Sequence, residues 1–260
     1  MPNTEIIICK DADAISTEAA TRFVEAARGA TRRDGMFSVA LSGGSTPRKL
    51  FEKLASPEWQ SKVDWNAVQL FWSDERSVSP DDKDSNYRMA RESLITRVAI
   101  PDANIHRIHG ERAATDDAEA ARAASDYESE IRRVLRTPQN EMPRFDLILL
   151  GMGADGHTAS LFPGTTALDE TERAVASLYV ERLETRRVTF TFPLLNYAAQ
   201  VMFLISGADK SGTLREVLQP EDDKVTYPSQ RVRPINGKLT WLIDEAAASE
   251  LNRDALREIS

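Results

Sequence analysis

The sequence predicts an α/β protein, with a mostly parallel β-sheet flanked by helices on both faces. A single domain is expected over residues 1–260. Three observations lead there. Short apolar runs alternate along the chain with longer Ala-, Glu- and Arg-rich amphipathic stretches, which is the pattern of repeated βαβ units. Several of these runs are apolar throughout, as in strands covered on both faces of a parallel sheet. No internal repeat, low-complexity tract or break in composition marks a second domain.

Composition narrows the function classes. Hydrophobic residues make up 41% and charged residues 28% of 260, which excludes a disordered chain. No apolar run approaches the ~18 residues of a membrane span. The N-terminal stretch lacks the basic region and long apolar segment of a secretory signal, so a cytoplasmic location and no membrane partner are expected. The net charge is 33 − 41 = −8, which argues against binding nucleic acid through a basic surface. A small anionic substrate remains compatible, provided cations gather locally against the overall field. The single cysteine, Cys9, ends an apolar run and reads as a small buried hydrophobe in a reducing compartment.

The elements follow in order. Residues 5–8 (EIII) form a first strand, and 11–33 a long helix that ends near Asp34-Gly35. Residues 37–41 (FSVAL) are a second strand. It runs directly into Ser42-Gly43-Gly44-Ser45-Thr46-Pro47 and then a helix over 48–54. Pro47 suits a first helical position, with Ser45 or Thr46 as N-cap. Glycines that free backbone N–H groups, flanking hydroxyls and a helix N-terminus make this loop an anion site, with a phosphate monoester as the preferred ligand. It has neither the Walker A nor the Gly-x-Gly-x-x-Gly spacing.

Residues 68–72 (VQLFW) are a third strand, ending in the charged cluster 73–78, where Arg76 is placed to contact an anion bidentately. A polar loop over 80–85 and a helix over 86–97 follow. His106 and His109 are three apart, but no third histidine or cysteine and no His-Glu-x-x-His pattern supports a metal site, so surface or strand-edge positions are expected. A helix over 116–136 and a turn-rich connector over 137–143 lead to residue 145.

Residues 145–150 (FDLILL) read as a buried strand, followed by Gly151-Met152-Gly153-Ala154-Asp155-Gly156-His157. Glycine lets such a loop take left-handed angles and approach a ligand closely. An aspartate and a histidine two residues apart, on a loop leaving a parallel strand, suit catalysis. Residues 158–162 are expected to start a helical turn. Strands are expected over 174–180, over 186–192 with strict alternation, over 201–205 and over 239–243. A helix over 210–218, a turn at 227–230 and a closing helix over 244–259 complete the pattern. Lys210, in the first turn of its helix, opposes the helix dipole, a small cost consistent with a cation aimed at the ligand edge of the sheet.

These segments together resemble the 6-phosphogluconolactonases. The resemblance rests on LSGGSTP (41–47), WSDER (72–76), GMGADGHTASLFPG (151–164), RVTFTFPLLN (187–196), GADK (207–210) and GKLTWLIDEAA (237–247), in the family's order and over nearly the whole chain. The tail segment 227–232 departs from the family's usual Pro-Ala type. The resemblance implies a Rossmann-like fold shared with glucosamine-6-phosphate deaminases and ribose-5-phosphate isomerases. It also implies no metal or organic cofactor, and a phosphosugar lactone as partner for a monomer or weak homo-oligomer. The implied activity is hydrolysis of 6-phospho-D-glucono-1,5-lactone to 6-phospho-D-gluconate in the oxidative pentose phosphate pathway. His157 would be the general base and Asp155 its close neighbour. Asp74, Arg76, Arg187 and Lys210 would contact substrate, with Gly43, Gly44, Ser45 and Thr46 cradling the phosphate. Arg187, rather than the adjoining Arg186, is expected to point inward.

The chemistry agrees with this. A histidine titrates near neutral pH and can take a proton from the water that attacks a lactone carbonyl. No serine or cysteine nucleophile is required, and Ser160 lacks a Gly-x-Ser-x-Gly setting. Two other readings stand beside it. A glucosamine-6-phosphate deaminase would need a further carboxylate soon after the histidine, where this chain has no acid before Asp169. A non-catalytic sugar-phosphate sensor would need a partner module, and no basic helix or extra segment supplies one.

Overall fold

A computed structural model describes residues 3–220, 225–252 and 254. β1 (Asn3–Cys9) leads into α1 (Ala12–Asp34), whose first turn is capped by the Asp11 carboxylate and whose end is a left-handed Gly35. β2 (Phe37–Leu41) is followed by α2 (Ser45–Leu54), the short α3 (Pro57–Gln60), β3 (Val68–Trp72) and β4 (Asp74–Arg76). Next come α4 (Asn86–Ser93), α5 (Gly110–Ala113), α6 (Asp117–Val134), β5 (Leu147–Leu150), β6 (Val175–Val180) and β7 (Thr185–Phe190). α7 (Phe192–Tyr197), β8 (Gln200–Ile205), α8 (Ser211–Leu218) and β9 (Lys238–Asp244) close the fold.

Six strands form one parallel sheet in the order β1-β9-β8-β5-β2-β3. Its central strands are buried along their length, which is why they read as unbroken apolar runs. Helices cover both faces. On one, Phe23 of α1 meets Phe37 edge-on at 5.2 Å, and Tyr87 of α4 meets Trp72 at 5.4 Å. Ala40 and Phe71 point the other way, and there Phe71 packs on Tyr127 of α6 and on Phe145. The Tyr127 hydroxyl donates to the Trp72 carbonyl and accepts from the Trp72 N–H, satisfying the backbone of edge strand β3.

The chain reverses direction across the sheet between β2 and β5. β2 continues outward to β3, whereas β5, β8 and β9 continue the other way. That switch point leaves a crevice at the carboxyl ends of two adjacent strands. The loops after β2 and β5 are the Gly-Gly-Ser-Thr and Gly-Ala-Asp-Gly-His segments. A second, antiparallel sheet of order β4-β7-β6 stands over this edge. Ser73 joins the two sheets: its N–H donates to the Leu41 carbonyl, and its own carbonyl accepts from Phe190 N–H.

Several expectations are corrected here. Within the charged cluster 73–78, Asp74–Arg76 forms a strand of its own, because it pairs with Arg187–Thr189. Residues 158–162 do not begin a helix. Ala159 takes a left-handed φ of 47°, the Ser160 N–H is taken by the Thr189 hydroxyl, and Thr158 bridges Leu161. The helix expected to run to 97 ends at Ser93, since Leu94 leaves helical angles, and a 3₁₀ turn Ile95–Arg97 follows. α2 starts at Ser45 behind Gly44, with no side-chain cap, so Pro47 occupies its third position. Lys210 precedes its helix rather than lying within it. Of the closing helix expected over 244–259, Asp244 belongs to β9 and 245–250 are turns; residue 253 and residues 255–260 lie outside the described residues. Among the described residues no helix is long and apolar enough to cross a membrane.

Candidate active site

Two adjoining cavities open at the switch point. The first, about 240 Å³, is lined by Ser42 through Pro47, by Ser206 and Lys210 after β8, and by Gly151, Met152 and Gly153 after β5. The second, about 440 Å³, is lined by Asp155, Phe162, Arg182, Leu183 and Arg187 among others. Asp74, Arg76, His157 and Ala159 line both, so the imidazole stands between the two.

The first cavity is framed by close contacts that only certain residues permit. A Cβ on Gly43 would lie 2.0 Å from Asn86 Oδ1, so Gly43 is needed for the loop to pass over Asn86. Asn86 is itself held by donating Nδ2 to the Asp74 carbonyl at 2.9 Å. Gly44 takes a φ of 104°, a conformation open to glycine. The Thr46 hydroxyl is 3.2 Å from that of Ser206, which ties the loop after β2 to the loop after β8. Ser45 is exposed at the rim. Lys210 lines the far wall and pairs with Asp209 at 2.8 Å. Uncapped N–H groups at the start of α2, hydroxyls and a lysine bring together donors and positive charge of the kind that suits an anion.

Glu75 anchors the start of α4 from below. Its Oε1 accepts from the N–H groups of Arg76 and Asn86, both at 2.8 Å. Its Oε2 accepts from Tyr87 N–H at 2.8 Å and from the Ser85 hydroxyl at 3.1 Å. Burial pushes its carboxyl above the ordinary value, opposed in part by those backbone hydrogen bonds. Arg76, next along, donates Nη1 to the Asp84 carbonyl at 2.6 Å and reaches both cavities.

The loop after β5 is wound tightly around its histidine. Gly153 N–H donates to the His157 carbonyl and Gly156 N–H to the Gly153 carbonyl, both at 2.9 Å. A Cβ on Gly153 would meet His157 Nδ1 at 2.1 Å and Asp155 Oδ1 at 2.6 Å. Gly156, at φ 70°, packs against the Tyr227 ring, and its carbonyl accepts from Ser229 N–H, so the 227–231 segment forms a wall of the loop. Inside this turn the Asp155 carboxylate is in close contact with His157 Nδ1. Its other oxygen is in close contact with the Arg182 guanidinium. Burial raises the Asp155 carboxyl, but hydrogen bonding and charge from His157, and hydrogen bonding from Arg182, outweigh it and hold the group below the ordinary value. An ionised carboxylate offers only lone pairs, so Nδ1 carries the hydrogen, and in the neutral imidazole Nε2 is then the nitrogen with the lone pair. Among the described residues none hydrogen-bonds Nε2.

The sequence-expected residues are gathered here with one division. His157, Asp74 and Arg76 border both cavities. Gly43, Gly44, Ser45, Thr46 and Lys210 border the first, while Asp155 and Arg187 border the second. Arg187 is therefore not beside the anion loop. It sits on β7 opposite Arg76, and its Nη1 donates to Thr185 Oγ1 and to the Arg186 carbonyl. Burial, and then the neighbouring Arg76 cation, lower its proton affinity. Arg186 instead pairs with Asp117 at 2.7 Å, on the side of Tyr179. Asp74 is engaged by the Ser160 hydroxyl at 2.7 Å, so it braces the loop as well as lining the cavities.

Ser160, rejected as a nucleophile on sequence, serves instead to hold Asp74, and Arg182, Asn86 and Glu75 are not among the sequence-expected site residues. Only Glu75 carried a signal, its place at the end of a strand. His106, expected at the surface or a strand edge, is buried beside edge strand β3. Its ring bridges Glu130 and Gln69 at 2.8 Å each and stacks on Phe71 at 4.6 Å. His109 is exposed. Among the described residues no group of three or more His, Cys, Asp or Glu is placed to hold a metal ion.

Known proteins resemble this chain over most of its length. The family model described as Glucosamine-6-phosphate isomerases/6-phosphogluconolactonase matches residues 10–241. A 6-phosphogluconolactonase of a Nostoc species is 39% identical over 252 residues, covering 97% of each chain. One of a Synechocystis species is 42% identical over 217 residues, covering 84% of this chain and 85% of that one. The solved 6-phosphogluconolactonase of Trypanosoma cruzi superposes with a TM-score of 0.85 at 30% identity, covering 97% of this chain and 98% of that one.

Proposed function

The chain belongs to the glucosamine-6-phosphate isomerase/6-phosphogluconolactonase family, and from that premise we propose that it is a lactonase in which His157 activates the attacking water. The substrate is 6-phospho-D-glucono-1,5-lactone and the product 6-phospho-D-gluconate, a step of the oxidative pentose phosphate pathway. The observation that carries the mechanism is the Asp155–His157 pair between an anion cradle and a second, cation-lined cavity.

The phosphate is held at Gly43, Gly44, Ser45 and Thr46 by backbone N–H groups and hydroxyls, with Lys210 and Arg76 as counter-charges. It lies far from the reacting carbon, so it orients the lactone rather than taking part in the chemistry. Water attacks the lactone carbonyl while His157 Nε2 accepts its proton. Asp155 holds the ring tautomer and stabilises the imidazolium that results. The tetrahedral oxyanion is met by N–H groups of the loop after β5. Collapse breaks the bond to the ring oxygen, the imidazolium returns its proton to that oxygen, and the carboxylic acid so formed loses its remaining proton to solvent to give the carboxylate product. Arg187, on the second cavity, supplies positive charge where the carboxylate forms.

The deaminase reading lacks the further carboxylate it needs, since Thr158, Ala159 and Ser160 follow the histidine and the Ser160 hydroxyl is committed to Asp74. One experiment separates the two activities: purified protein is given freshly prepared 6-phosphogluconolactone and, separately, glucosamine 6-phosphate. Lactone loss well above the spontaneous rate, with no ammonia from the amino sugar, supports the proposal. Ammonia release without lactone hydrolysis overturns it.

A further inference from the structure

Arg182 stands in the 3₁₀ turn Glu181–Leu183 that joins β6 to β7, on the second sheet, while Asp155 stands on the loop after β5, on the first. The two side chains meet across the mouth of the second cavity. The guanidinium also lies 4.7 Å over the Phe162 ring, and that ring is 4.2 Å from the His157 imidazole. Arg182, Asp155, His157 and Phe162 therefore close a ring of contacts around the imidazole.

We propose that Arg182 is a positioning residue, which holds one oxygen of Asp155 so that the other stays on His157 Nδ1. Two further cations, Arg76 and Arg187, line the same cavity. Without Arg182, the second carboxylate oxygen would have no partner of its own and those guanidiniums would compete for the group, turning it from the imidazole. An arginine suits the task better than a lysine because its planar fork fixes direction, and because it spreads over an aromatic face. Its side chain is 52% exposed, so as a mere surface ion pair it would contribute little to stability. The contribution to function is geometric, since small misplacement of a catalytic group costs rate out of proportion to stability.

The inference rests on His157 being the base, and its test includes a readout that needs no substrate. In Arg182→Met the stem still covers Phe162 but the charge and the fork are gone. Proton NMR of the free protein reports the downfield resonance of the His157 ring N–H on Asp155, identified by its loss in Asp155→Asn. The expected result is that this signal broadens or moves upfield in Arg182→Met, while the melting temperature changes by no more than about 1 °C. In lactone turnover kcat is expected to fall about ten-fold or more with KM changed less than about three-fold, and Arg182→Lys to recover part of the loss. An unaltered resonance overturns the proposal whether or not the lactone proves to be the substrate. So does a raised KM with unchanged kcat, which would make Arg182 a substrate contact.

Discussion

Replacing Glu75 by glutamine tests how the site is held from beneath. The carboxylate accepts four hydrogen bonds, two at each oxygen, from three backbone N–H groups and one hydroxyl. Glutamine keeps one acceptor oxygen and presents an amide NH₂ in place of the other. Whichever way it is turned, at least one buried N–H loses its acceptor and faces a donor: Tyr87 N–H if the amide takes the Oε2 place, Arg76 and Asn86 N–H if it takes the Oε1 place. An unsatisfied buried donor costs about 1–3 kcal/mol, while relief of the buried charge offsets part of this, so a net loss of about 2 kcal/mol is expected. For a chain of this size that lowers Tm by about 4–8 °C in calorimetry. The sign of the pH dependence follows from the raised carboxyl. Between the unfolded value near 4.5 and the higher folded value, the folded state binds the proton more tightly. The native protein's advantage over Glu75→Gln should therefore increase as pH falls through that window and flatten below it. A Tm equal to the native protein's, or an advantage that shrinks with acid in that window, would mean that the Glu75 carboxylate does not hold these four donors. Because Glu75 sets Asn86, and Asn86 underlies Gly43, the variant should also bind phosphate-bearing ligands more weakly.

Two other outcomes concern the first cavity. Gly43→Ala pushes a methyl into Asn86, so the loop must shift; KM for the lactone should rise at least about ten-fold, and an unchanged KM would show that the loop does not cradle the phosphate. Lys210→Ala should raise KM with little change in kcat, because the phosphate is bound alike in ground and transition states. A large fall in kcat at constant KM in steady-state assays would contradict that role.

Much of the main sheet was legible in the sequence because its strands are buried on both faces. Runs such as Phe37–Leu41 and Leu147–Leu150 have no polar face to confuse the period. The start of α1 was legible from Asp11 and its end from Gly35, since capping is local chemistry. β4 was not legible: three charged residues carry no strand pattern, and they become a strand only through pairing with β7, more than a hundred residues later. The turn after His157 was misread as helical for the same reason, because Thr189 and Asp74 claim the donors of Ser160 from afar. Within the site, Asp155 and His157 were legible from their spacing on a glycine loop. Arg182 was not, since its partner is 27 positions away and nothing local distinguishes it from other surface arginines. The division of Arg187 from Lys210 likewise depends on which cavity each strand end faces.

Whether His157 activates water against a phosphosugar lactone is decided by the initial rate of 6-phosphogluconolactone hydrolysis in mildly acidic buffer, where spontaneous opening is slow, for the native protein and His157→Ala side by side. The native rate should lie far above the uncatalysed one, with a loss of about 10²–10⁴-fold in a variant that still folds and still binds the phosphosugar. Near-native turnover by His157→Ala would contradict that activation.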